Sequence, residues 1–187
     1  NMKGQNLNNL RIEFVFGAMN VALKHDLKVF WSQYGKPYHE ELRSFHSADS
    51  NKQKRMGRLK KPISRQPAAI SRDQSGAING IVFVVLRELE TSLHLGSHAY
   101  FQRMYITPTS RRPCLANELF RAFLKGFDRE VGKRDHRAKH LIAENNNPGL
   151  QKPSMRRYFL RLGFQMLGSN PFGSEVWARK LKTRFSF

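Results

Sequence analysis

Met104-Tyr-Ile-Thr-Pro-Thr-Ser-Arg-Arg-Pro-Cys-Leu-Ala-Asn-Glu-Leu119 joins a strand to a helix through a turn that carries two arginines. Ser97 to Ile106 reads as a strand, and Pro108 ends it. Beyond the turn, Leu115, Leu119, Phe120, Phe123, Leu124, Phe127 and Val131 recur at helical spacing, which predicts a helix over 115–131. The first turn of a helix presents backbone N–H groups without intrahelical acceptors and the positive end of the helix dipole. Arg111 and Arg112, just ahead of it, add charge-assisted donors. By its chemistry the segment is a phosphate site. A plain strand-to-helix connection is the alternative that the same pattern allows.

Working outward, Ala68 to Ser71 reads as a short strand and Arg72 to Gly76 as a turn. Ile78 to Leu89 is rich in β-branched residues and predicts a buried strand, paired as a hairpin with Ser97–Ile106 across the loop Glu90 to Gly96. After the long helix, His140 to Ala143 is a short strand. Met155, Tyr158, Phe159 and Leu162 share one face of a further helix, Arg156, Arg157 and Arg161 its other face, and Gly163 stops it. Phe164 to Leu167 and Glu175 to Leu181 are two last strands around the turn Asn170 to Gly173. Ahead of all this, Leu10, Phe14, Ala18, Val21, Ala22 and Leu27 predict a helix over 10–31, capped by Asn8 or Asn9. Tyr34-Gly-Lys-Pro37 reads as a breaker, and Tyr38 to Phe45 as a second short helix. The expected organisation is a single domain of mixed α/β architecture. Residues 1–49 form its N-terminal helical part, 50–66 a basic mobile loop and 67–187 its core.

Charge is the abnormal quantity. Lys and Arg number 33 against 14 Asp and Glu, a net charge of +19 in 187 residues. Residues 1–49 hold six basic and five acidic residues, so the excess lies in the remainder. Between Asn51 and Arg65, Lys52, Lys54, Arg55, Arg58, Lys60, Lys61 and Arg65 occur with no acid among them. Such a segment reads as a solvated linker or as an arm for RNA or another polyanion. The longest apolar run, Ile81 to Leu86, is far short of the ~20 residues that span a bilayer. One cysteine, Cys114, excludes an internal disulfide framework and a thiolate zinc cluster. His94 and His98 are four apart but read as lying on a loop and a strand rather than on one helix face, so no metal is expected, and no leader-like segment is evident. The expectation is a soluble cytoplasmic protein without membrane or metal partner.

Two segments together resemble a known family. Ile106-Thr-Pro108 followed by Arg111-Arg-Pro-Cys-Leu-Ala116 is similar to the GNAT acyltransferase signature, V-x-P then (R/Q)-x-x-G-x-(G/A), set between the family's fourth strand and third helix. Tyr158-Phe-Leu-Arg-Leu-Gly-Phe164 resembles the family's Y-x-x-x-x-G-F element, and Asn145-Asn-Asn147 precedes it where the family often has an asparagine. The resemblance covers about residues 67–181. It implies the GNAT fold, a central mixed, mostly antiparallel sheet flanked by helices, and acetyl-CoA as acyl donor. By position, Met104, Tyr105 and Ile106 would offer backbone groups to pantetheine. Arg111, Arg112, Cys114, Leu115 and Ala116 would bind the pyrophosphate. Asn145 or Asn147 would reach the cofactor's far side, and Tyr158 would protonate the departing thiolate. The sequence departs from the pattern at four residues. Cys114 and Arg112 stand where glycines are usual, Pro113 has no N–H to donate, and Asn147 lies unusually far before Tyr158.

Acyl transfer also needs a base to hold the amine neutral. Glu144 after the fifth strand, and Glu88 and Glu90 at the end of the third, are the candidates. Gln102 occupies a strand-four position where some relatives carry glutamate, and it cannot serve. The resemblance thus implies transfer of acetyl from acetyl-CoA to an amine by direct attack in a ternary complex. The cationic surface suggests an acceptor that is anionic or bound to nucleic acid. The rival expectation is a non-catalytic member whose basic face binds nucleic acid.

Overall fold

The nine residues Ile78 to Leu86 are buried without interruption, as expected of a strand covered on both faces. In the computed structural model, which describes residues 10–45, 61–170 and 173–183, this segment belongs to β3 (Ile78–Glu88), third in a seven-stranded sheet. The other strands are β1 (Arg11–Phe14), β2 (Ser64–Arg72), β4 (His98–Ile106), β5 (Ala138–Asn145), β6 (Phe164–Ser169) and β7 (Glu175–Lys180). They lie in the order β1-β2-β3-β4-β5-β7-β6. The β4–β5 pair is parallel, whereas β1–β2, β5–β7 and β6–β7 are antiparallel. Among the described residues the helices are α1 (Val21–Phe45), α2 (Pro113–Arg129) and α3 (Pro153–Arg161). This is the mixed, mostly antiparallel sheet with flanking helices that the resemblance implies. Among the described residues no helix is long and apolar enough to cross a membrane.

The chain divides into two compact units. One takes its described residues from 1–36, 66–83 and 104–129. Its core holds Phe16, Leu23, Leu27, Phe30, Ile70, Ile81, Leu119, Phe123 and Phe127. Phe16 meets Phe127 edge-on at 5.2 Å. Gly126 of α2 allows close approach to β1: a Cβ built there would stand 2.3 Å from Phe14 Cδ2. Arg72 ties this unit's edge together, bonding Asp26 Oδ2 at 2.8 Å and Glu13 Oε1 at 3.1 Å.

The second unit takes its described residues from 37–65, 84–103 and 130–187. Trp177, Phe159 and Phe164 form an aromatic group with ring separations of 5.7 and 5.9 Å. Leu141, Ile142 and Ala143 of β5 are wholly or almost wholly buried. The helix α3 ends where Gly163 takes φ 83°, the left-handed value that glycine adopts freely.

Four expectations change. The stretch 10–31 is not one helix: Arg11-Ile-Glu-Phe14 alternates and pairs with β2, and Gly17 at φ 68° breaks the chain. The N-cap of α1 is Asn20, whose Oδ1 accepts the Leu23 N–H at 2.8 Å. Gly35 and Pro37 do not end α1, which runs through both. Phe30 meets Tyr105 edge-on at 6.2 Å, Tyr34 packs tilted against it at 6.3 Å and Trp31 meets Phe83 edge-on at 5.9 Å, contacts that offset a local breaker. Finally, β2 begins at Ser64, so Arg65 lies in a strand rather than in the basic loop. Lys52, Lys54, Arg55, Arg58 and Lys60 lie outside the described residues.

Candidate functional site

In the first unit the decisive segment leaves β4 through Tyr105 and Ile106, both buried. The Thr107 N–H donates to Asn79 O at 2.9 Å, and a 3-10 turn over Pro108–Ser110 follows. Arg111 is extended, and its Nε donates back to Ile106 O at 2.9 Å. Its guanidinium stands 5.4 Å over the Tyr105 ring, a cation–π contact that sets the plane of the charge. The helix α2 starts at Pro113, two residues earlier than its apolar spacing predicts, and the Ala116 N–H already donates to Arg112 O at 3.1 Å. Ala116 is thereby committed to the helix. Pro113 has no N–H, which leaves the backbone donors of Cys114 and Leu115 in the first turn. Cys114 is exposed, whereas the Leu115 side chain is in the core, so only its backbone is available to a ligand.

The second unit holds Glu144, Asn145, Asn147 and Tyr158. The parallel register of β4 and β5 runs from His98↔Ala138 to Gln102↔Ala143. Arg103 and Glu144 come next on each strand, and Arg103 Nη2 lies 3.4 Å from Glu144 Oε2. The two side chains are 26% and 23% exposed, which makes this a recessed ion pair rather than a solvated one. Asn145 is buried, and its Nδ2 has no hydrogen-bond partner among the described residues; Gln102 Oε1 is in the same state. Such orphaned buried groups cost roughly 1–3 kcal/mol each unless a ligand meets them. Asn147 is exposed and caps the 3-10 turn Pro148–Gln151, its Oδ1 accepting the Gly149 N–H at 2.8 Å. Tyr158 is half-buried on α3, its ring 5.8 Å from Phe159.

The structure therefore brings Arg111, Arg112, Cys114, Leu115 and Ala116 to one strand-to-helix turn, with Tyr105 and Ile106 at its base. Met104 is exposed on β4. Glu88 and Glu90 are exposed at the far end of β3 and in the loop beyond it. Arg156, read as part of an outward cationic face, instead donates from Nε to the buried Glu175 at 2.8 Å. Sequence reading missed Arg103 as the partner of Glu144. The parallel register, which neither strand announces alone, is what makes them neighbours. Among the described residues no three His, Cys, Asp or Glu side chains gather as a metal site.

No family model and no curated protein matches the chain. Solved structures do resemble it. One is an acetyltransferase of the GNAT family from Staphylococcus aureus, at 13% identity and TM-score 0.44, covering 92% of this chain and 99% of that one. Another is an aminoglycoside N(6')-acetyltransferase from Legionella pneumophila, at 17% identity and TM-score 0.43, covering 92% and 91%. A third is a GNAT superfamily phosphinothricin acetyltransferase from Sinorhizobium meliloti in complex with acetyl-CoA, at 16% identity and TM-score 0.41, and the match spans 60% of each chain. Likenesses at this level assign no residue role and no ligand to this chain.

Proposed function

We propose that this chain is a divergent GNAT-superfamily N-acetyltransferase that uses acetyl-CoA as donor and an amine as acceptor, by direct attack in a ternary complex. The observation that carries the reading is the β4–turn–α2 segment. There the family-like motif falls on a strand end, a tight turn and a helix start, with Arg111 held by Ile106 O and Tyr105 ahead of the first-turn donors. The unsatisfied Asn145 Nδ2 at the end of β5 fits a bound cofactor as well, because a ligand carbonyl would relieve it. Acetyl-CoA would supply the thioester at which the amine attacks. Arg111 and the backbone N–H groups of Cys114 and Leu115 would hold its pyrophosphate by charge-assisted hydrogen bonds. Glu144 takes the proton from the attacking amine nitrogen, and the Tyr158 hydroxyl gives one to the departing sulfur, so the protons balance.

Calorimetric titration with acetyl-CoA tests the reading. Saturable binding is expected, weakened about 10- to 100-fold by Arg111→Ala through the loss of a charge-assisted contact. Absence of any binding heat at high protein concentration would end it. One observation favours the second reading, a non-catalytic member whose basic face binds nucleic acid: Pro113 removes a donor from the turn where a phosphate would need it. Under that reading nucleic acid binds and acetyl-CoA does not.

A further inference from the structure

Asn79-Gly80 is a dipeptide that favours tight turns, yet here it lies inside the buried run Ile78 to Leu86 of β3. Asn79 is only 9% exposed, and a carboxamide in such a strand is costly unless its donor and acceptor are both met. Its neighbours meet them. Ser71 of β2, wholly buried, donates from Oγ to Asn79 Oδ1 at 2.7 Å. Gly80 leaves room for this, because a Cβ built there would stand 2.5 Å from Ser71 Oγ. Asn79 Nδ2 in turn donates to Ser110 Oγ at 3.4 Å, and the Asn79 carbonyl accepts the Thr107 N–H at 2.9 Å. Asn79 therefore holds both ends of the turn from Thr107 to Ser110, which the Ser110 N–H closes on Thr107 O at 2.9 Å. Ser71, Asn79, Gly80, Thr107 and Ser110 all belong to the first unit.

The chain of bonds has a direction. A serine hydroxyl holds one proton, and among the described residues Ser71 Oγ meets no acceptor other than Asn79 Oδ1. Turning the carboxamide over would leave that proton unmet at a site with no exposure, the costly arrangement for a polar group. The oxygen of Asn79 thus stays on Ser71 and its nitrogen on Ser110. Because Ser110 Oγ accepts from Asn79, its own proton is left to donate elsewhere, and no acceptor meets it among the described residues. Ser110 is half-buried and directly precedes Arg111 and the first turn of α2. A hydroxyl that already accepts a hydrogen bond is a stronger donor, since linked bonds polarise one another. A phosphate oxygen, ionised and accepting only, is suited to such a proton. Sheet stability alone does not call for the buried pair, because two apolar side chains of similar size would leave nothing to satisfy.

We infer that Ser71 and Asn79 are positioning residues for the proposed pyrophosphate site, fixing the turn ahead of α2 and aiming the Ser110 hydroxyl at a phosphate oxygen. This rests on the acetyl-transfer reading above. Asn79 acts through Ser110 and the turn, so its loss costs phosphate contacts and spares the thioester end of the donor.

The test titrates the full chain with acetyl-CoA and, in parallel, with S-acetylpantetheine, which keeps the thioester arm and lacks the pyrophosphate. Ser110→Ala should weaken acetyl-CoA about tenfold and leave S-acetylpantetheine within about twofold. Ser71→Ala combined with Asn79→Leu removes the chain of bonds without stranding a buried polar group. It should keep the melting temperature near that of the wild type and give a similar loss for acetyl-CoA alone. Adding Ser110→Ala to that pair should cost little more, because residues acting through one contact are not additive. Acetyl-CoA affinity unchanged in Ser110→Ala, equal losses for the two ligands, or additive losses in the triple variant each overturn the inference alone. No saturable binding of acetyl-CoA by the wild type overturns the acetyl-transfer reading and the inference with it.

Discussion

Tyr158 carries two loads that a single substitution separates. Its ring packs on Phe159, and its position in the Tyr-x-x-x-x-Gly-Phe element puts its hydroxyl forward as the proposed acid. Tyr158→Phe keeps the ring and removes only the hydroxyl. Under the proposed mechanism it should lower kcat by about 10²–10⁴ with acetyl-CoA affinity nearly unchanged, as a group acting only in the transition state does. Acetyl-CoA hydrolysis followed by thiol release serves as the assay. Loss of melting temperature in step with activity would place the residue in the core instead. Arg111 differs in kind, because its contacts to Ile106 O and Tyr105 fix its plane without a ligand and so reduce the entropy lost on binding.

At the scale of an element, the turn that enters β5 is held by charge. Both Asp135 carboxylate oxygens accept from Arg137, at 3.0 and 2.7 Å, and the Asp135 N–H donates to Tyr100 Oη at 2.7 Å. The Arg137 side-chain bonds, aided by the Arg137 N–H, hold the Asp135 carboxyl well below the usual carboxylate range. A folded-state pKa below the unfolded value of about 3.9 gives stability that is present above that pH and lost as pH falls through the folded pKa. Urea unfolding midpoints measured from about pH 5 to pH 2 should therefore fall in the wild type. In Asp135→Asn the curve should start lower and fall less steeply. An identical slope in the variant would remove Asp135 from the account. The helix α1 makes the complementary point, since local breakers at Gly35 and Pro37 are overridden by aromatic packing.

Across the whole molecule the charge of +19 remains the dominant field. Part of it is spent internally: Arg72 on Glu13 and Asp26, Arg156 on Glu175, Arg103 on Glu144. Arg157 and Arg161 stay exposed on α3. Counterion release makes phosphate-backbone binding fall with salt at a log–log slope of about −0.7 to −0.9 per neutralised phosphate. A tRNA-sized RNA should be retained on filters at about 50 mM salt. Replacing the seven basic residues between Asn51 and Arg65 with Gln should flatten the slope by several units. No retention at that salt, or an unchanged slope in the variant, would remove this segment from RNA binding.

The elements whose burial is encoded in their own residues were legible from the sequence alone. The apolar run of β3, the helical periodicity of α2 and the Gly163 stop of α3 each read correctly to within a few residues, because the signal is local. The strand-to-helix turn with Arg111 was legible for the same reason. Pairing was not. Whether Arg11–Phe14 is helix or strand depends on β2 accepting it and on Gly126 leaving room for Phe14. Whether α1 survives Pro37 depends on Tyr105 and Phe83, roughly seventy and forty-five residues away along the chain. The register of β4 against β5 sets Arg103 beside Glu144, and the β3–β4 hairpin brings Arg87 to the same face. Residue type and periodicity determine which segments are buried and where they end. Which charges meet is decided only by the tertiary structure, since a shift of one residue in register would turn each of these side chains to the opposite face.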